Sequence, residues 1–390
     1  MYSRFFKAPQ QSFFLFGPRG TGKSTLLAER FTSSQVIDLL DPETFQSLSA
    51  APSRLTGFVD GNPQVSRWII DEVQRVPDLL PLVHQLIEKR KNLVFVLTGS
   101  SARKLRRTSS DLLGGRALEC HLHPFLAGEL GADFALARAL QIGMLPLVWA
   151  APNPEATLKS YLSLYMQTEV MAEGLIKNVA AFARFLEAIS FSQGSLMNFS
   201  AIGRDCGVDR KTVQGYVAIL EDLLLAFRLP VFTKKSKREL VVHEKFYYFD
   251  AGVFRAVRPS GPLDQPQEID GLALETLVIQ QVRAWASYRS TTEQIYFWRS
   301  RGGVEVDLVI YGKNTFWAIE IKNSGKVRSE DLSGLAEFGQ DYPMAKRLLL
   351  YRGERRELVN GILCLPVADF LGWLDPINNL PENTFNDLSS

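Results

Sequence analysis

The sequence predicts an α/β protein of several domains, and three observations carry that expectation. From residue 12 to about residue 122, short β-branched and aromatic runs alternate with helical stretches, the signature of a parallel sheet flanked by helices. The middle of the chain has helix-turn-helix spacing followed by a basic, hairpin-like pattern. Near the C-terminus, strands of alternating pattern carry acids among Val, Leu, Ile, Trp and Ala. A length of 390 residues accommodates two or three domains at roughly 150 residues each.

Composition sets outer bounds. With 46% hydrophobic and 22% charged residues the chain is globular, which excludes a collagen, a disordered tail protein and a disulfide-stapled toxin. Net charge is only +2, so any affinity for nucleic acid must come from local basic patches. Cys120, Cys206 and Cys364 lie far apart with no C-x-x-C spacing, and they read as buried thiols in a reducing compartment. The N-terminus has no apolar run of signal-peptide length, and no stretch reaches the ~20 apolar residues of a membrane span. The expectation is a soluble, cytoplasmic protein without a membrane partner.

Taken in order, a first domain spans residues 1–150, with strands expected at 12–16, 35–40, 65–70, 92–98 and 117–122. Residues 151–194 lose the strand signal and show helical periodicity, as in YLSLYMQTEV and FARFLEAISF, so they form a helical lid or connector. Residues 195–258 hold a short helix, a turn at Gly207, a capping Asp209 and a longer amphipathic helix. The runs LPVF and VVHEKFYYFD then flank Lys234, Lys235, Lys237 and Arg238 as a hairpin wing. Pro259, Gly261, Pro262 and Pro266 mark a linker over 255–266. A last domain over 267–375 has a helix at about 269–285, strands at 295–298, 304–310 and 316–321, and a turn at 312–314. The tail, 376–390, is expected to fray.

Chemistry concentrates in three places. The segment GPRGTGKST, comprising Gly17, Pro18, Arg19, Gly20, Thr21, Gly22, Lys23, Ser24 and Thr25, fits G-x-x-x-x-G-K-[ST] between an apolar run and a helical run. Its glycines let backbone N–H groups curl around a β-phosphate, Lys23 reaches the β/γ oxygens and Ser24 ligates Mg²⁺. In RWIIDEVQ an apolar strand ends in two acids: Asp71 holds the Mg²⁺ shell, and Glu72 orients and deprotonates the attacking water of an ATP hydrolase. The next strand, LVFVLTGSS, ends in Thr98, Ser100 and Ser101; Thr98 is the first choice for a sensor of that water or the γ-phosphate, Ser100 the second.

These elements, in this order, resemble the P-loop AAA+ ATPases over roughly the first 190 residues, with Walker A at 17–24, Walker B at 68–72 and sensor 1 at 98–101. That resemblance implies ATP and Mg²⁺ as cofactors and an arginine from a neighbouring subunit on the γ-phosphate. Arg116 after two glycines is the leading candidate, with Arg103, Arg106 and Arg107 as alternatives and Arg184 as a sensor 2 residue.

A recognition helix from Asp209 presents Arg210, Lys211, Thr212 and Gln214 on its first turns; with Lys234, Lys235, Lys237 and Arg238 this makes a basic winged helix that contacts DNA or docks protein. In GGVEVDLVIYGKNTFWAIEIK, period-2 alternation puts Glu305 and Asp307 on one face of one strand and Glu320 and Lys322 on one face of the next. With Glu275 on the upstream helix, this resembles the PD-(D/E)XK restriction-endonuclease-like superfamily. Glu275, Asp307 and Glu320 would then hold a second Mg²⁺ beside Lys322; the alternative is a structural charge network. No proline-aspartate pair precedes the first acid.

The full order of modules resembles a widespread prokaryotic family of AAA+ ATPases with a winged helix and a C-terminal domain of unknown function. Three functions follow as expectations. The leading one is an ATP-driven DNA remodeller, helicase-like and suited to branched or recombining DNA by analogy with AAA+ branch-migration motors, working as a homo-oligomeric ring with a hexamer favoured. The others are an ATP-timed signalling switch of the STAND type and an ATP-gated, metal-dependent nuclease.

Overall fold

A computed structural model describes residues 2–100, 113–166, 176, 178–233, 243–262, 264–289 and 292–377. The predicted Ser101, Arg103, Arg106, Arg107, Lys234, Lys235, Lys237 and Arg238 lie outside the described residues, as does the tail from residue 378. The chain divides into two compact units, one of residues 6–123 with 220–225 and one of residues 1–5, 124–219 and 226–390.

The first unit is built on a five-stranded sheet, β1 (Phe13–Phe16), β2 (Gln35–Asp38), β3 (Arg67–Asp71), β4 (Val94–Gly99) and β5 (Leu118–His121), in the order β2-β3-β4-β1-β5. Every pairing is parallel. All five strands fall where the alternation predicts them, one or two residues shorter at several ends, with β3 and β4 running one residue further at their C-terminal ends. Phe14, Phe16, Ile70, Phe95 and Leu97 pack with Trp68 against the helix Leu79–Lys89, so the inner strands β1, β3 and β4 are buried and read as apolar runs, whereas the edge strands β2 and β5 are largely exposed or half-buried. Because the strands are parallel, the loops following β1, β3 and β4 all leave one edge of the sheet, where ligands of open α/β sheets bind.

In the second unit, the helix Val179–Ser190 leads into β6 (Ser195–Leu196), the helices Phe199–Cys206 and Arg210–Asp222, then β7 (Ala226–Leu229) and β8 (Lys245–Tyr248). These strands form an antiparallel sheet in the order β6-β8-β7. Gly207 ends its helix in the left-handed conformation (φ 69°). A side chain at Gly203 would meet Val208 O at 2.7 Å, so the turn needs a bare backbone there. The predicted wing strand LPVF is corrected: only Leu229 belongs to β7, while Pro230–Phe232 run beside β9 (Gln294–Arg299), with Phe232 N–H donating to Phe297 O at 2.7 Å. Phe232 is buried among Tyr296, Tyr311, Phe316, Phe338 and Tyr342. Burial of an aromatic ring outweighs extension of a small sheet.

The predicted linker is also shorter than expected. Ala251–Val257 is helical, Arg255 pairs with Asp270, and Arg258 bonds Asp264 at 2.9 Å, so the Pro/Gly segment is tied down by ion pairs. The helix Pro266–Tyr288 is then followed by β9, β10 (Glu305–Tyr311) and β11 (Phe316–Lys322), the helix Ser333–Asp341, β12 (Lys346–Tyr351), β13 (Glu357–Val359) and β14 (Ile362–Pro366). Sheet order is β13-β14-β12-β11-β10-β9, with β9, β10 and β11 antiparallel and β12 parallel to β11. The long helix is buried although it carries Thr276, Gln280 and Gln281, because each amide or hydroxyl meets a partner. Gln281 bonds Phe125 O and Ala127 N at 2.7 Å each, and Gln280 Oε1 accepts from Ala251 N at 2.8 Å. No helix among the described residues is long and apolar enough to cross a membrane. Cys206 and Cys364 are buried free thiols and Cys120 is half-buried and free.

Candidate functional site

The phosphate-loop segment connects β1 to the helix Lys23–Arg30. Gly20 (φ 81°) and Gly22 (φ 85°) adopt left-handed backbone that a side chain resists, which is why glycines recur there. A Cβ on Gly17 would stand 2.4 Å from Leu122 O, so this position too excludes a side chain. Lys23 is buried, its Nζ donating to Gly17 O at 2.6 Å and Pro18 O at 3.3 Å, which aims the ammonium into the loop's concavity. Thr21 is spent on the loop itself, donating to Pro18 O at 2.8 Å, whereas Arg19, Ser24 and Thr25 are exposed.

The predicted acids and hydroxyls meet at this edge. Ser24 Oγ donates to Asp71 Oδ2 at 2.7 Å, Thr98 Oγ1 donates to Asp71 Oδ1, and Glu72 N–H donates to Thr98 Oγ1 at 3.0 Å. Thr98 is fully buried, so its hydroxyl pins the tip of β3 to the tip of β4. Glu72 sits in left-handed backbone (φ 57°), a conformation costing about 1 kcal/mol or more for a non-glycine residue and typical of functional turns.

Sequence reasoning missed Gln74. Its buried amide donates to the Glu72 carboxylate and to Ser100 Oγ at 3.2 Å, and Gly99 leaves it room, since a Cβ there would stand 2.5 Å from Gln74 Oε1. A lone amide two residues beyond paired acids was the available signal. Arg116 is not brought to this edge. It precedes β5 and is therefore at the opposite end of the parallel sheet from its own phosphate loop, paired with Glu88. Hydrogen bonds from Arg116 and then Lys91 hold the Glu88 carboxyl down at about 2.

Residues 9–131 match a family model described as an AAA domain. That part of the chain is similar to AAA domains. Residues 133–264 and 270–370 match two families described only as domains of unknown function, DUF8612 and DUF4143. Uncharacterised proteins of Mycobacterium bovis and Mycobacterium tuberculosis are each 24% identical over 372 residues, covering 92% of this chain and 80% of the relative. An uncharacterised protein of Haemophilus influenzae is 23% identical over 255 residues, 61% of this chain and 62% of its own. Solved chains with some similarity include domain III of the replication initiation protein DnaA from Thermotoga maritima, with 14% identity, 42% of this chain and 78% of that chain covered, and a TM-score of 0.25. AMPPCP-bound DnaA from Aquifex aeolicus, at 14% identity, covers 54% of this chain and 81% of its own, with a TM-score of 0.25. Likeness at such scores assigns no fold.

In the second unit, Asp209 caps the helix Arg210–Asp222 by accepting from Thr212 N at 2.9 Å and from the Thr212 hydroxyl at 2.8 Å. Thr212 is thus absorbed by the cap, a correction to its expected display, while Arg210, Lys211 and Gln214 are exposed. Arg184 bonds Cys206 O at 3.2 Å, so its guanidinium braces the helix-turn-helix.

The C-terminal acids are brought to one region. Burial, then Glu320 and Glu275, push the Asp307 carboxyl well above the usual carboxylate range. Burial likewise pushes Glu320 up to about 7, although Lys322 opposes it with Nζ 2.6 Å from Glu320 Oε1. Asp307 Oδ2 accepts from Ile321 N at 2.8 Å. The residue that sequence reasoning missed is Lys245, which is buried, 3.3 Å from Glu275 Oε1 and in an ion pair with Glu305. Tyr247 OH donates to Glu275 Oε1 at 2.5 Å. Among the described residues no group of three His, Cys, Asp or Glu side chains is spaced to hold a metal ion. Glu275 and Glu305 are occupied instead by the Lys245 ammonium. A lone lysine inside the aromatic strand KFYYFD was the signal.

Proposed function

We propose that the protein is an ATP-hydrolysing AAA+ protein that binds and remodels DNA, branched DNA foremost, as an oligomeric ring with a hexamer as its favoured size. The observation that carries the ATP chemistry is the line of bonds Ser24, Asp71, Thr98, Glu72 beside the Lys23 ammonium. ATP and Mg²⁺ fit it: Ser24 Oγ and Asp71 Oδ2 are 2.7 Å apart, close to the ~2.9 Å between adjacent ligands of an octahedral ion with Mg–O bonds of about 2.0–2.1 Å. Bound there, Mg²⁺ neutralises charge on the β- and γ-phosphate oxygens.

The chain's own residues do the rest. Lys23 exchanges its loop carbonyls for β/γ oxygens, and the N–H groups at the start of the helix Lys23–Arg30 face the phosphates. Glu72 takes the proton of the attacking water, and Thr98 holds its backbone in place. Arg116, remote from its own loop, serves a neighbour's γ-phosphate, which is the reason for the ring.

DNA contact is supported by the exposed Arg210, Lys211 and Gln214 on the first turns of a capped helix. The order helix, β6, helix, helix, β7, β8 with sheet order β6-β8-β7 supports a winged helix, and the sequence between β7 and β8 supplies Lys234, Lys235, Lys237 and Arg238. The order helix, three antiparallel strands, helix, parallel strand supports a nuclease-like C-terminal fold. A second reading, the ATP-timed switch, is favoured by the bond from Gln74 to Glu72, which restrains the base and slows turnover.

ATP turnover with single-stranded, duplex and four-way-junction DNA separates the readings. Several-fold stimulation, greatest with the junction, is expected of the remodeller; turnover indifferent to all three would refute it and leave the switch. Lys23→Ala should lose nucleotide binding, and Glu72→Gln should bind ATP without hydrolysing it.

A further inference from the structure

We propose that the carboxylate cluster of the C-terminal region is closed by the chain's own cation: the Lys245 ammonium stands where a nuclease-like fold would hold a divalent ion, and fastens β8 to the helix Pro266–Tyr288 and to β10. The inference stands apart from the ATP chemistry and needs only the geometry around Lys245.

Three observations carry it. Lys245 enters from the small sheet yet is buried against Glu275 at 3.3 Å and pairs with Glu305, two acids from different elements of the C-terminal fold. Glu275 is enclosed on most sides, its side chain 15% exposed: Tyr247 OH bonds it at 2.5 Å, and a Cβ on Gly194 would lie 3.4 Å from both of its oxygens. A Mg²⁺ ion, which keeps several waters, would have to displace the ammonium to reach it. The remaining acids are partly engaged: Glu320 Oε1 meets Lys322 at 2.6 Å while its Oε2 is buried without a hydrogen bond, Asp307 accepts from the Ile321 N–H, and Glu305 also meets Arg299 at 3.5 Å.

Charge explains why the arrangement persists. A buried lysine alone would shed its proton, but Glu275, Asp307 and Glu305 hold the Lys245 ammonium well above its usual range against the effect of burial. Conversely, deletion of the ammonium leaves three acids facing one another, with repulsion that a metal cation or proton uptake relieves. The same positions that look like a metal centre in sequence thus act as a buckle between two pieces of the second unit.

The test is Mn²⁺ binding to the full chain without nucleotide, followed by calorimetry and Mn²⁺ paramagnetic resonance, together with thermal unfolding. The wild-type protein should show no Mn²⁺ binding that Asp307→Ala removes. Lys245→Met, of similar length but uncharged, should unfold several degrees lower and regain that loss in millimolar Mn²⁺, whereas Lys245→Arg should retain most of the wild-type midpoint without it. Mn²⁺ binding by the wild type that is lost in Asp307→Ala would overturn the proposal, as would a Lys245→Met protein of unchanged midpoint. If Lys245→Met does not fold, the wild-type Mn²⁺ titration decides alone, with Tyr247→Phe expected to lower the midpoint without creating a Mn²⁺ site.

Discussion

Removal of the Thr98 hydroxyl tests how the two acids at the tip of β3 are held. In Thr98→Val the side chain keeps its shape in a fully buried position, so packing changes little. Two bonds disappear: the one that Thr98 donates to Asp71 and the one that it accepts from Glu72 N–H at 3.0 Å. Each buried group left without its partner costs about 1–3 kcal/mol, more when the partner is charged, so roughly 3 kcal/mol of local order at the β3 tip should vanish. If that order is what positions Glu72, a barrier raised by about 3 kcal/mol slows turnover about a hundredfold. Nucleotide affinity, set mainly by Lys23 and the loop, should change little. Steady-state hydrolysis and fluorescent-nucleotide binding separate these quantities, and Thr98→Ser, which restores the hydroxyl, should recover most of the rate. Turnover within twofold of wild type in Thr98→Val would refute the assignment of Thr98 as the residue that positions this turn.

Arg116→Ala should lower turnover on the order of a thousandfold if the guanidinium serves a neighbour's phosphate, and mixing it with Glu72→Gln subunits should restore activity beyond simple dilution. The same variant should let the Glu88 carboxyl climb from about 2 towards its ordinary value in an NMR titration; because the folded value is depressed, the ion pair stabilises the fold above the ordinary carboxylate range and fades as pH falls towards 2. Replacement of Lys234, Lys235, Lys237 and Arg238 by Ala should weaken duplex binding at every sequence and reduce the log-log salt slope by about 0.9 for each phosphate no longer neutralised; an unchanged slope would mean that the wing does not meet DNA. Phe232→Ala should destabilise the second unit by about 3–5 kcal/mol, read as a lower denaturant midpoint with ATP turnover intact.

Much of the first unit is legible in the sequence alone. Its inner strands β1, β3 and β4 are apolar runs because the middle of a parallel sheet is covered on both faces, and the glycines of its loop are tied to left-handed backbone and to the carbonyl of Leu122. Asp71, Glu72 and Thr98 can be assigned from position, since acids and hydroxyls at the tips of adjacent parallel strands must share one edge. The helix-turn-helix is likewise readable from Gly207 and Asp209, which act on residues three or four positions away.

What only the tertiary structure decided is which partner each polar or aromatic side chain finds. Pro230–Phe232 read as a wing strand, but the cluster around Phe338 and Tyr342 captures the ring and draws its segment alongside β9. Glu275, Asp307 and Glu320 form a metal centre only by the resemblance to the nucleases, and although Lys245 stands out as a lone lysine in KFYYFD, nothing local says that it, 30 residues before Glu275, supplies the cation. Local sequence determines backbone preference and which face a side chain takes. The charge that neutralises a buried acid is set by whichever element packs against it, and that choice is made by burial over the whole unit, at distances along the chain that no periodicity spans.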